Sequence, residues 1–311
     1  MACCRHHTAT RGIECHCRGR LIREIRNERE GLSPIPWPTK NDIVLFELAG
    51  WRRAVNSYAT LWGDRIIWIS PKMSSGPSAR PTVTILVGLR GTLSVRLSRD
   101  LVVNGRILLL APDTVRSLDA PHGCYSLNLD PIHRFCRRIR ADVLQSSPVV
   151  DLSSSVSPSL LDIISSPVEA PLDCERNYRQ SELLLNTLFP DAFGVAPIDP
   201  RIDMVATWLR THTPRQIDAS FLGKLGGFSA GRLTHVFTRD LGLSPRRYLL
   251  WVKMRLALEL LSQDRSLTDV AYTIGFSNPS HMSRVFKSYF ALKPSFLSNG
   301  DLVQLHNCAT Q

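Results

Sequence analysis

The residues best suited to chemistry stand in the last third of the chain, and their arrangement occurs twice. Gly227-Phe228-Ser229 leads into a stretch carrying Arg232, Thr234, His235 and Arg239, with Val236-Phe237 inside it. About fifty residues later, Gly275-Phe276-Ser277 leads into a stretch carrying Ser280, His281, Arg284 and Lys287, with Val285-Phe286 inside it. Guanidinium, imidazole and hydroxyl groups at helical spacing are hydrogen-bond donors suited to a polyanion with readable edges. A guanidinium takes O6 and N7 of guanine bidentately, and Lys or Arg neutralises phosphate.

Two other chemistries compete for these and neighbouring residues. Gly227-Phe228-Ser229-Ala230-Gly231 has the Gly-x-Ser-x-Gly form of a serine-hydrolase nucleophile elbow, and Asp269 and His281 follow it. That elbow requires a strand immediately before the serine in an alternating β/α chain. A helical segment and two glycines precede Ser229, so it reads as a helix cap, and no catalytic residue is assigned. Near the N-terminus, Cys3, Cys4, Cys15 and Cys17 crowd together with His6, His7 and His16. Neither cysteine pair has the C-x2-C spacing that lets two thiolates converge on one tetrahedral ion, so no metal or other cofactor is expected. All eight cysteines, including Cys124, Cys136, Cys174 and Cys308, are expected to be free thiols rather than a disulfide framework.

The elements that must hold the doubled arrangement are legible around it. Pro200 opens a helix to His212, with Ile202, Val205, Ala206 and Leu209 on one face. A short helix after Asp218 ends at Gly226-Gly227, where the chain turns sharply and calls for positive φ. Phe228 plugs the turn and Ser229 caps a helix over 230–240, whose buried side is Leu233, Val236, Phe237 and Leu241. Ser244-Pro245 is a cap followed by proline at the first helical position. It starts a long helix to Leu261 that fixes the distance between two flanking modules. Ser266 and Asp269 make a capping box with Asp in place of Glu, ahead of LTDVAYTI. The last helix is expected from Asn278 or Pro279 to Phe290. From 191 to the C-terminus no strand signal is present.

The preceding half has a different texture. DRIIWIS, PTVTILVGL, TLSVRLS, GRILLLAP and CYSLNL recur at intervals of about ten residues over 64–130, with turn residues between them. That regularity points to a small antiparallel barrel or sandwich. Residues 131–145 have helical spacing, with Ile132, Phe135, Ile139 and Val143 along one face. Residues 146–171 are Ser- and Pro-rich but carry Leu160, Leu161, Ile163 and Ile164. Residues 176–189 return to a helical pattern whose apolar stripe packs on the barrel or pairs two subunits. Gly and Pro concentrate at 191–200, the best boundary. The fold class is therefore α+β.

Composition narrows the classes. The chain has 311 residues, 43% hydrophobic and 21% charged, which is ordinary globular composition with room for two cores. Its longest apolar runs, such as 107–111, fall far short of the ~20 residues of a membrane span. The N-terminus lacks the apolar core of a secretory leader, so a cytoplasmic location and no membrane partner are expected. The net charge of +11 is unevenly placed. Residues 200–300 hold 14 Lys/Arg against 6 Asp/Glu, while residues 41–199 hold 16 against 16. Charge alone leaves two readings open: one half meets a polyanion and the other does not, or the basic segment is a solvated surface with no partner.

With these motifs on the page, residues 198–296 resemble the DNA-binding domain of the AraC/XylS family of transcription regulators. The most specific stretch is KMRLALELL…SLTDVAYTIGFSNPSHMSRVFKSYFALKPSF, and FSAGRLTHVFTRDLGLSPRRYL fits as well. Met282 stands where the family usually has Phe or Leu, Ala291 where Gly is usual, and Ser295-Phe296-Leu297 replaces a common Tyr-Arg ending. The resemblance implies two helix-turn-helix units whose second helices enter successive major grooves ~34 Å apart. Position by position it implies base-facing roles for Ala230, Gly231, Thr234 and His235, and for Pro279, Ser280, His281 and Arg284, with Arg284 foremost. Arg232, Arg239, Lys287 and Lys293 read as phosphate contacts. Gly231 and Pro279 have no side-chain donor, so the first helix is the weaker reader.

The strand-rich segment resembles, through weaker motifs, the cupin-like sensor barrel that such regulators often carry. His122 is the only histidine between 64 and 130, so a metal site of the cupin kind cannot be assembled. Trp62, Trp68, Met73 and Arg90 are candidates to line a pocket, with core packing the expected job of the aromatics. The expected organisation is a disordered basic extension over 1–40, a sensor or dimerisation domain over 41–190, a linker over 191–197 and a DNA-binding domain over 198–300. The expected function is a sequence-specific DNA-binding transcription regulator rather than an enzyme, with activation the family's commonest mode. Its expected partners are double-stranded promoter DNA, RNA polymerase, a small-molecule effector and a second copy of the chain. The alternative is a small-molecule-binding or enzymatic barrel whose basic helical tail is a protein-interaction module.

Overall fold

Strands buried on both faces read as mainly apolar runs, and RIIWIS, VTILVG and CYSLNL are such runs, interrupted by Arg65, Ser70, Thr84, Ser126 and Asn128. They form β2 (Arg65–Ser70), β4 (Val83–Gly88) and β9 (Cys124–Leu129), every residue of which is buried. The computed structural model describes residues 57–145, 147–165, 173–190, 198–263, 265–297 and 303–308. The extension over 1–40, with Cys3, Cys4, Cys15 and Cys17, and the linker over 191–197 lie outside the described residues.

The N-terminal part is two facing sheets. The larger adds β1 (Ser57–Leu61), β7 (Ile107–Leu110), β10 (Val149–Asp151) and β11 (Val303–Asn307), in the order β10-β7-β4-β9-β2-β1-β11. The smaller is β3 (Met73–Ser78), β8 (Arg116–Ala120), β5 (Leu93–Arg96) and β6 (Val102–Gly105), in that order. Side chains alternate across a strand, so one face of the larger sheet presents Ile67, Ile85, Leu109 and Leu127. They lie under helices α1 (Arg134–Arg138), α2 (Pro158–Ser165) and α3 (Cys174–Leu188). On the other face Leu86, Leu108 and Leu110 meet Leu93, Val95 and Leu118 of the smaller sheet.

Five strands match the five apolar stretches of the sequence. The others hide for physical reasons: β3 (MSSGPS) contains Gly and Pro, and β10 sits in the Ser/Pro-rich segment. One expectation is overturned outright. The tail carries β11, which pairs in parallel with β1 from Ser57↔Val303 to Leu61↔Asn307. The helical spacing of 131–145 resolves into α1 followed by a π-turn over Ile139–Val143, with Phe135 and Ile139 buried. Trp62 and Trp68 are buried and pack, the first against Tyr178 at 6.0 Å between ring centroids.

The helical part follows: α4 (Pro200–His212), α5 (Ala219–Gly226), α6 (Ala230–Leu241), α7 (Pro245–Leu261), α8 (Leu267–Thr273), α9 (Pro279–Phe290) and α10 (Pro294–Leu297). Its core is continuous with the larger sheet, because Ala59, Leu61, Ile66 and Trp68 share one buried cluster with Phe237, Trp251, Met254 and Phe290. The expectation that all cysteines are free is also corrected. Cys174 and Cys308 form a disulfide across 134 positions of sequence, while Cys124 and Cys136 are free and buried. The pairing arises only once β11 runs beside β1 and brings Cys308 to the start of α3, where Cys308 donates its N–H to the Leu61 carbonyl at 2.9 Å.

Candidate nucleic-acid interface

Each of the two units is built by local rules. In the first, Asp218 caps α5 by accepting from the N–H of Ser220 and Phe221. Gly227 ends the helix at φ 67°, a left-handed conformation that glycine adopts without strain. Phe228 folds back, its N–H donating to the Gly223 carbonyl at 2.8 Å, and Ser229 caps α6 by accepting from the Arg232 N–H at 3.3 Å. In the second unit Ser266 caps α8 through the Asp269 N–H at 3.1 Å, and its hydroxyl donates to the Asp269 carboxylate at 2.6 Å. Gly275 turns at φ 79°, Phe276 donates to the Ala271 carbonyl at 2.8 Å, and Asn278 caps α9 through the His281 N–H at 2.7 Å.

The caps settle the alignment of the repeat. Sequence comparison sets Ser229 against Ser277, whereas the structural counterpart of Ser229 is Asn278, so the second turn is one residue longer. From that point Leu233 matches Met282 and Phe237 matches Phe286, all four buried. Gly242 and Ala291 also match, both left-handed at φ 81° and 60°. His235 therefore occupies in α6 the place that Arg284 occupies in α9, and Arg232 the place of His281.

The outward faces carry the residues singled out by the sequence. Gly231, Arg232, Thr234, His235 and Arg239 are exposed on α6, and Ser280, His281, Arg284 and Lys287 on α9; Ala230 and Pro279 are half-buried at the helix starts. Arg232, His235, Arg284 and Lys287 take part in no ion pair among the described residues. Arg239 differs: its Nε donates to Asp240 at 2.7 Å, and that bond holds its guanidinium pKa above the usual value. Thr234 spends its hydroxyl on the Ala230 carbonyl at 3.2 Å, and the His281 ring meets the Phe276 ring edge-on. Ser229, the serine of the hydrolase-like sequence, follows helix α5 and a glycine turn rather than a strand.

Between the units runs α7, 17 residues and so about 25 Å long at 1.5 Å per residue. What holds it lies far away in the chain. Asp130, fully buried, accepts from Tyr248 Oη at 3.2 Å, Trp251 Nε1 at 2.9 Å and Arg255 Nη1 at 3.1 Å. Arg255 also donates to the carbonyls of Gly63 and Trp62. The same half grips the flanking units. Arg140 donates to the Arg239 carbonyl at the end of α6, Ala79 N–H and Arg80 Nε donate to the Ser288 and Tyr289 carbonyls of α9, and Arg247 pairs with Asp113. These partners come from loops and, for Arg140, from the π-turn, and only the tertiary fold supplies their neighbours.

Residues 223–299 match the family model described as a helix-turn-helix domain. Over 108 residues the chain is 29% identical to the HTH-type transcriptional activator RhaS of Enterobacter sp. (strain 638), covering 34% of this chain and 39% of that protein. The RhaS of Citrobacter koseri is 30% identical over 108 residues, with the same coverage of both chains. The chain thus spans about two fifths of the length of the curated relatives it matches. Among solved structures, an apo ToxT variant from Vibrio cholerae strain SCE256 superposes with a TM-score of 0.50 at 12% identity, covering 77% of this chain and 94% of that one. At that identity the likeness concerns the fold, and it extends across both halves.

Proposed function

From a C-terminal domain that belongs to the AraC/XylS family, we propose that this chain is a sequence-specific DNA-binding transcription regulator. The observation that carries the reading is the doubled unit itself, with two capped helices at the ends of one rigid 17-residue helix, each turning unpaired cationic or imidazole groups to solvent. A second helix braced by a first is the arrangement that enters a major groove, and two such units read two successive grooves. In this reading His235 and Arg284 face base edges from equivalent places, with Arg284 contacting guanine bidentately. Thr234, Ser280 and His281 stand beside them, and Ala230, Gly231 and Pro279 admit the backbone closely to the groove. Arg232, Lys287 and Lys293 contact phosphate, and Arg239 does so after sharing its guanidinium with Asp240.

Residues 198–300 are proposed as the reader, 41–190 as a sensor or dimerisation domain and 191–197 as their linker. Activation through RNA polymerase is the proposed mode, in keeping with the activators it resembles, and the location is the cytoplasm. The test is binding of the full chain to duplex from upstream of its own gene and to random duplex, across a salt series. A preference for the specific duplex, with log K falling in proportion to log salt, supports the reading. Salt-independent binding, or none, returns the basic helices to a protein-interaction module.

A further inference from the structure

The helical half of the chain lies in sequence between two cysteines that are joined to each other. Cys174 is the first residue of α3, a 15-residue helix capped by Asp173, and Cys308 directly follows β11. Their Cα atoms are 5.7 Å apart, within the ordinary range for a disulfide. The bond encloses α4 to α10 in a covalent loop, both ends of which are anchored on the sheet-rich half. Besides it, the tail is held by one five-residue parallel strand at the sheet edge, a weak kind of pairing, and by Val303, buried in the core that the sheet shares with the helices.

We propose that Cys174 and Cys308 are a reversible redox site that locks the C-terminal strap, strand β11, onto the edge of the larger sheet. The two sulfurs have different settings. Cys174 is half-exposed at the N-terminus of a helix, where solvent reaches it; unpaired N–H groups there favour a thiolate, and the flanking Asp173 and Glu175 carboxylates oppose it. Cys308 is buried at 6% exposure beside Leu61. Cys174 is thus the attacking group and Cys308 the resolving one. The co-reactant is a hydroperoxide. The Cys174 thiolate attacks one peroxide oxygen, breaking the O–O bond to give a sulfenic acid and, with hydrogen peroxide, one water. The Cys308 thiolate then attacks the sulfenic sulfur, forming the S–S bond and releasing a second water, so two thiols lose two electrons to the peroxide. A dithiol reverses the step by exchange. The free cysteines Cys124 and Cys136 are fully buried, and burial raises both thiol pKa values, to about 12 for Cys124, so neither competes.

In the oxidised chain β11 stays against β1; in the reduced chain β11 is free to peel from the sheet edge, while Asp130, Arg80, Arg247 and the shared core still hold α7 and its flanking units on the sheet. The test uses the full chain after hydrogen peroxide or dithiothreitol, with Cys174→Ser and Cys308→Ser beside it. Differential alkylation with peptide mapping follows the 174–308 link, and hydrogen exchange follows residues 303–308. Peroxide should form the link and dithiothreitol should open it in the folded chain. Exchange at 303–308 should rise about tenfold on reduction, and both serine variants should exchange fast under either condition. Equal protection at 303–308 in both redox states, a link that dithiothreitol cannot open in the folded chain, or a Cys308→Ser chain that still answers peroxide overturns the proposal.

Discussion

Asp130→Asn isolates the contact that fixes α7, and with it the separation of the two units. The carboxylate is fully buried and accepts three side-chain hydrogen bonds from α7, at 3.2, 2.9 and 3.1 Å. Asparagine keeps the shape but replaces one acceptor with a donor facing other donors, and it leaves the buried Arg255 charge only Glu259, at 3.9 Å, as an anionic partner. Hydrogen bonds to a charged group contribute ~1.5–3 kcal/mol each, and breaking one side of a buried ion pair costs ~3–5 kcal/mol. One retained bond offsets part of this, so a loss of about 3 kcal/mol is expected. Arg255→Met should lose a similar amount alone, because it strands the carboxylate. The double variant removes both charges and should recover about 2 kcal/mol relative to additivity. Urea unfolding followed by tryptophan fluorescence measures all four chains, with Trp251 inside the perturbed cluster. A single-variant loss below ~0.5 kcal/mol, or an additive cycle, would refute the claim that this buried ion pair ties the sheet to α7.

Three further outcomes follow from the geometry. Burial, then the positive field of Arg65, lowers the His133 pKa from 6.5 to about 4. The unfolded chain therefore binds the extra proton first as pH falls. Stability should decline between pH 6.5 and about 4 by about 3 kcal/mol at 1.36 kcal/mol per unit, and a His133→Gln chain should lose that slope in urea titrations at each pH. Ala291 is left-handed at φ 60°, so Ala291→Gly should stabilise the chain by about 1 kcal/mol, read as a raised melting temperature. A Cβ on Gly223 would stand 2.7 Å from the Phe228 carbonyl oxygen, so Gly223→Ala should cost about 1–3 kcal/mol and loosen the first unit, seen as faster hydrogen exchange over 219–241.

Legibility in the sequence tracks how local the determining interaction is. Ser229, Ser244 and Ser266 announce their helices because a cap acts on an N–H three residues away, and each makes that bond. The positive-φ turns at Gly227 and Gly275 are local in the same sense. Strands are visible where apolar residues dominate, unbroken in β7 and nearly so in β4, and invisible where pairing alone makes the strand, as in β3 and β11. The exposed faces of α6 and α9 could be read from spacing, whereas the one-residue difference between the two turns needed the Asn278 cap. The Cys174–Cys308 bond and the Asp130 cluster join residues more than a hundred positions apart, and no periodicity encodes such meetings.

The most direct test of the central claim compares the full chain with Arg284→Ala and His235→Ala for binding to a set of duplexes altered one base pair at a time. A base-reading role predicts that Arg284→Ala weakens the preferred duplex by ~1–3 kcal/mol and erases the preference for guanine at one position. His235→Ala should relax a different position about one helical turn away. Equal weakening on every duplex, with the sequence preference intact, would contradict the assignment of these two helices as the readers.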